Sequence, residues 1–173
     1  MKNKLYSIAV LTVVTACSIA IVMFGHSITY GKINENKISS VRPYLETIFP
    51  SADPAGFVSL EDIEDETGKI TGLYQIGEDG YVYRLTVDGF GGRGSLEFLI
   101  GFGTDNAVAG YIVTVNNETS GFGTKVSEEP FVSSIIGTEI GAEYDTITGA
   151  TISSQAIIDG INVAKTHFDA NFK

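Results

Sequence analysis

An unbroken apolar run opens the chain, period-two alternation fills its middle, and a helical stripe closes it. Leu5 to Gly25 is about 21 residues without a charge, behind a short basic head carrying Lys2 and Lys4. That length spans a bilayer core as a helix. In the middle, Tyr81, Tyr83, Leu85 and Val87 alternate with Val82, Arg84, Thr86 and Asp88. This is the pattern of a half-buried strand. Leu96 to Phe102 and Val108 to Val115 read as two more strands, separated by the turn residues Gly103-Thr104-Asp105-Asn106. Phe57 to Leu60 reads as a strand entry. From Gln155 onward, Ile157, Ile161, Ala164 and Phe168 recur at steps of four, three and four, one stripe of an amphipathic helix. Ser153 and Ser154 stand where that helix should start, and either can cap it. Strands that follow one another without intervening helices indicate an antiparallel meander. The class is therefore α+β: an N-terminal transmembrane helix, then one domain with an antiparallel sheet and flanking helices.

Two shorter helices complete the pattern. Val41, Leu45, Ile48 and Phe49 predict a helix after Ser39 or Ser40, with Pro43 in its first turn and Pro50 beyond its end. Ser127-Glu128-Glu129-Pro130 has a cap, an acidic first turn and an early proline, with Phe131, Ile135 and Ile136 as the apolar side and Gly137 as the stop.

The opening run admits three readings: a retained anchor, a cleaved signal peptide and a lipoprotein signal. Val14-Thr15-Ala16-Cys17 fits the small residues that precede a lipidated cysteine. The stretch Ser18 to Phe24, however, stays apolar where a lipid tether should turn polar. The full apolar length favours the uncleaved anchor. The basic head resembles a signal-anchor, which would put the chain from about Tyr30 outside the cytoplasm, although Lys32 and Lys37 follow the span and weaken the charge bias.

Composition narrows the function. A formal charge of −10 argues against nucleic acid or anionic lipid as the main partner. The single cysteine, Cys17, excludes an intramolecular disulfide. Five carboxylates fall in the six positions Glu61 to Glu66, but without the spacing of a calcium loop, so they read as a solvated loop. The cluster Gly89 to Gly94 is followed by a strand, not a helix, which excludes a dinucleotide-binding turn. His26 and His167 form no triad or metal pattern, and His167 reads as an exposed residue near a helix C-terminus.

The chemistry points to the start of the last helix. In Asp145-Thr146-Ile147-Thr148-Gly149-Ala150-Thr151-Ile152-Ser153-Ser154, hydroxyls and small residues cluster at a helix N-terminus, whose free N–H groups and dipole favour a phosphate. This stretch, with Asp145 ahead of Thr148-Gly149-Ala150-Thr151, resembles the signature of the FMN-binding domain family, which includes the G subunit of the Rnf complex and the C subunit of sodium-pumping NADH:quinone reductase. Glu118-Thr119-Ser120-Gly121-Phe122-Gly123 resembles that family's Glu-Thr-Pro-Gly-Leu-Gly loop, with Ser120 for the proline and Phe122 for the leucine. The resemblance covers about residues 70 to 168.

The resemblance implies FMN carried on Thr151 through a phosphoester that a flavin transferase installs. Thr148, Gly149, Ala150, Ser153 and Ser154 would surround the attachment point, and Asp145 would shape the loop or be read by the transferase. In the second motif, Glu118 and Thr119 would hydrogen-bond the cofactor, Gly121 and Gly123 would let backbone approach it, and Phe122 would lie beside the ring. FMN carries the redox chemistry, so the chain itself needs no catalytic acid or metal. The organisation implied is an anchor over 1–30, a connector over 31–56 and an FMN-binding domain over 57–173. Its role would be electron transfer at the cytoplasmic membrane, with the domain outside the cytoplasm and neighbouring membrane subunits of an Rnf-like complex as partners. A stand-alone carrier, a surface reductase and a non-redox binding module are the alternatives.

Overall fold

The computed structural model describes residues 11–15, 18, 19, 23, 37–61 and 63–173. Most of the expected transmembrane run lies outside the described residues; among them, no helix is long and apolar enough to cross a membrane. Ser40–Lys173 forms a compact unit of its own.

That unit is a five-stranded meander: β1 (Phe57–Leu60), β2 (Ile70–Ile76), β3 (Gly80–Gly89), β4 (Gly92–Gly103) and β5 (Val108–Asn116), paired in sequence order and antiparallel throughout. The alternation holds along β3. Tyr83, Leu85 and Val87 are buried on one face, opposite Ile100, Phe98 and Leu96 of β4. The second face is also covered at one end, which is why Val82 is fully buried rather than half-exposed. The helical residues 40–48 (α1) lie there: a Cβ on Gly101 would collide with Ile48 Cγ2, and one on Gly110 would fall 3.1 Å from the same atom.

The sequence pattern does not mark β2 as a strand. Its register shifts between Ile70 and Gly72, and that irregularity interrupts the period-two signal. Asp65 fixes its start: Oδ2 accepts from Ile70 N–H, and Oδ1 accepts from the Thr67 amide and hydroxyl. The acidic stretch thus contributes a turn as well as surface charge.

The helices also depart from their expected starts. Helical backbone already holds at residue 37, so Pro43 lies beyond the first turn. An interior proline costs about 3 kcal/mol. Burial of Val41, Leu45 and Ile48, each nearly complete, offsets that at about 1.5–3 kcal/mol per side chain. In α2 (Glu129–Ile135) the cap position is Glu128 rather than Ser127. The Ser127 hydroxyl instead donates to Thr124 C=O and accepts from Asn116.

The closing helix α3 (Thr151–Asn171) lies across the β3–β4 face with Ile157, Ile158, Ile161, Ala164 and Phe168 buried. Close approach depends on Gly160, where a Cβ would fall 2.9 Å from Phe98 and 3.0 Å from Val87. His167 is half-buried rather than exposed, because Tyr83 reaches it from the sheet with its hydroxyl 3.1 Å from Nδ1. Phe172 stacks on Tyr81 with ring centres 3.9 Å apart, securing the far end of the helix. Sheet and helix together hold the N-terminus of α3 beside the β3–β4 turn and the loop after β5.

Candidate functional site

The last helix begins earlier than its hydroxyls suggest. Thr151 is the first helical residue, and Ala150, which has no side-chain acceptor, occupies the cap position. Ser153 and Ser154 look like caps in sequence, but they sit inside the first turn and are buried. The Ser154 hydroxyl donates to Ala150 C=O and accepts from Ile147 N–H, which folds the preceding loop back onto the helix. Ser153 donates to Glu118 Oε2 at 2.6 Å. Gly149, with φ of +83°, makes the left-handed turn into the helix, and Ala150 is the buried residue before Thr151.

Thr151 is exposed at this corner and lies on the wall between two hollows. The first, about 460 Å³, is lined by Phe90, Thr119, Phe122, Gly123, Gly149, Ala150, Thr151, Ile152 and Ser153, and is mostly apolar. Phe90, Phe122 and Ile152 are 66%, 57% and 57% exposed, unusual for large apolar side chains that share one rim. The second hollow, about 890 Å³, is more polar and carries Lys69, Arg93, Thr71, Thr86, Gln155 and Asp159.

Thr119, Phe122 and Gly123 of the second motif line the apolar hollow. Gly121 takes φ of +76°, and its N–H donates to the Thr124 hydroxyl, so the loop turns sharply after Thr119. Gly123 is sterically required. A Cβ there would fall 2.6 Å from Glu118 Cβ and 2.8 Å from Ser153 Oγ.

Glu118 itself is turned inward. Oε1 accepts from Gly91 N–H at 3.0 Å and from the Ser95 hydroxyl, while Oε2 accepts from Ser153. Burial pushes its carboxyl up, but these donors, with the Phe90 amide, outweigh burial and hold it below the ordinary carboxylate value. One buried charge therefore joins the β3–β4 turn, β4, the loop after β5 and the first turn of α3.

The structure brings most of the sequence-identified residues together. Thr119, Phe122, Gly123, Gly149, Ala150, Thr151 and Ser153 share the apolar hollow. Thr148 is exposed on the loop before the helix. Asp145 is exposed in a separate hollow with Lys125, Glu128 and Ser134, away from the residues that surround Thr151. The structure adds Phe90, Ile152 and Ser95, to which the sequence reading assigns no role. Phe90 has one legible signal, a large apolar residue set between glycines in a tight turn.

Residues 89–166 match the FMN-binding domain family. The resemblance read from the two motifs is thus shown, and the matched segment contains the β3–β4 turn, the Glu118 loop and all but the last turn of α3. The chain is also 25% identical over 178 residues to the G subunit of the ion-translocating oxidoreductase complex of Methanosarcina acetivorans, covering 94% of this chain and 93% of that protein. It is 26% identical over 179 residues to the G subunit of the Na(+)-translocating ferredoxin:NAD(+) oxidoreductase complex of Acetobacterium woodii, covering 90% and 85%.

Proposed function

We propose that this chain is an electron-transfer flavoprotein that carries FMN as a phosphoester on Thr151. It acts as the G-type component of an ion-translocating complex of the Rnf kind. The observation that carries this reading is the position of Thr151: exposed, first in α3, uncapped by any side chain, and set between an apolar and a polar hollow. The similarity to two complex subunits over nearly the whole chain supports the assignment to a complex.

The site suits the cofactor. A hollow of about 460 Å³ falls within the roughly 300–1,000 Å³ range of small-molecule sites. Its exposed Phe90 and Phe122 suit a flat aromatic ring, which stacks or packs edge-on against such side chains. The unpaired N–H groups of the first turn and the helix dipole stabilise a phosphate at Thr151, and Lys69 and Arg93 supply cations in the adjoining hollow. FMN, when bound, supplies one- and two-electron transfer. The chain's own residues fix its attachment point, shield one part of the ring and leave another open to a partner. A threonine hydroxyl is a weak nucleophile, and neither hollow beside Thr151 holds a histidine to activate it, so a flavin transferase makes the bond.

The apolar run Leu5–Gly25 anchors the chain as a single pass through the cytoplasmic membrane, with the folded unit on the extracytoplasmic side. A covalent link retains the cofactor where free FMN would be lost by dilution. Other membrane subunits of the complex are the redox partners. The test is denaturing gel electrophoresis of the full chain after co-expression with a flavin transferase. Flavin fluorescence should migrate with the wild-type band and vanish in Thr151→Ala; wild-type bands without fluorescence would overturn the assignment.

A further inference from the structure

Among the described residues, Glu118 is the buried side chain with a formal charge. Its neighbours form the wall of the apolar hollow. Ser153, which donates to Oε2, lines that hollow, as does Gly123, where even a methyl group would fall 2.6 Å from Oε2. A serine hydroxyl and a side-chain-free glycine thus lie between the carboxylate and the space assigned to the flavin ring. The same carboxylate holds the amide of Gly91, next to Phe90, and the hydroxyl of Ser95 beneath the β3–β4 turn.

We propose, resting on the FMN assignment above, that Glu118 is a positioning residue that sets the flavin's reduction potential. Its fixed negative charge lies behind Ser153 and Gly123 of the hollow that would seat the ring, and it ties together the segments that carry Phe90, Phe122 and Thr151. Reduction adds electron density to the ring, and a nearby buried carboxylate opposes it. Solvent and salt screen such a charge far less than a surface one. The charge persists at neutral pH because four donors surround it. The positive end of α3 offsets part of its field, so the net effect lowers the potential without displacing a phosphate at the helix start.

Glu118→Gln separates charge from shape. An amide oxygen at the Oε1 position keeps the Gly91 and Ser95 donors, and an NH₂ at the Oε2 position can donate to Ser153 Oγ. Ser95→Ala does the reverse: the charge stays and one of the donors that quench it is lost. Ser95 is buried and does not line the hollow; its hydroxyl also accepts from Gly89 N–H beside Phe90, so retention of covalent flavin and an unchanged flavin absorbance maximum are required of S95A before its midpoint is read.

The experiment is a redox titration of the full-length, flavinylated protein at neutral pH, followed by flavin absorbance, with covalent flavin checked after denaturation. E118Q should keep its flavin and shift the midpoint to more positive potential, while S95A should shift it to more negative potential. Should E118Q fail to fold, the negative shift in S95A carries the test. An unchanged midpoint in E118Q, a shift of the same sign in both variants, or no negative shift in S95A would overturn the proposal while leaving the FMN assignment intact. A wild-type chain without covalent flavin would instead overturn the assignment, and this inference with it.

Discussion

Ser153 and Glu118, thirty-five residues apart in the chain, meet in the interior with Oγ of one 2.6 Å from Oε2 of the other. The contact fastens the first turn of α3 to the loop after β5, and so fixes the two sides of the hollow beside Thr151. A serine that could have capped the helix is used to hold a second segment in place. Removing it leaves a buried carboxylate oxygen without that donor. Ser153→Ala should therefore destabilise the fold by about 1–3 kcal/mol, read as a lowered denaturant midpoint at unchanged slope.

Gly123 has no room for a side chain, for a related reason. A methyl group there would press on Glu118 Cβ and Oε2 and on Ser153 Oγ, all within 2.8 Å. None of these can move without breaking a buried hydrogen bond. Gly123→Ala should cost about 1–3 kcal/mol, the usual range for overpacking, and should reduce flavin loading by a transferase more than it reduces the yield of folded protein.

At Gly160 two effects compete. Alanine in a helix interior gains up to about 1 kcal/mol in propensity over glycine. Here the added methyl would fall 2.9 Å from Phe98 Cζ and 3.0 Å from Val87 Cγ1, and both side chains are buried under the helix. Overpacking at about 1–3 kcal/mol outweighs the propensity gain, so Gly160→Ala should lower the melting temperature despite its better helix former. A raised melting temperature would mean that α3 sits further from the sheet than described.

Glu118 also imposes a pH dependence. Its folded carboxyl lies below the ordinary value of 4.5, because its donors outweigh the effect of burial. A depressed carboxylate contributes stability that is fully present above its unfolded value and is lost as pH falls through the folded one. Wild-type stability should thus drop on acidification below about pH 4.5, and Glu118→Gln should flatten that drop. Chemical denaturation between pH 3 and 7, set up with both proteins side by side, checks the difference in slope.

Regular elements are legible in the sequence where each one's burial follows a single period. Strand β3 alternates from Tyr83 to Val87, and α3 repeats its apolar stripe over Ile157, Ile161, Ala164 and Phe168. Strand β2 escapes that reading because its register slips at Gly72. The start of α3 is displaced from its expected place because a serine hydroxyl reads the same as a cap or as a buried donor. Only the position of Glu118 decides between the two. Thr151 and the glycines around it are legible as a motif. The partners of Glu118 are not, since Gly91, Ser95 and Ser153 come from segments that only the folded sheet brings together. Phe90 is hidden for a similar reason: its exposure matters only beside Phe122 and Ile152, which are distant in sequence.

The most direct test of the account is the intact mass of the full chain, measured under denaturing conditions after co-expression with a flavin transferase. The account predicts a gain equal to FMN minus water, localised by peptide mapping to Thr151 and absent from Thr151→Ala. An unmodified mass, obtained while the same transferase modifies a control substrate, would contradict it.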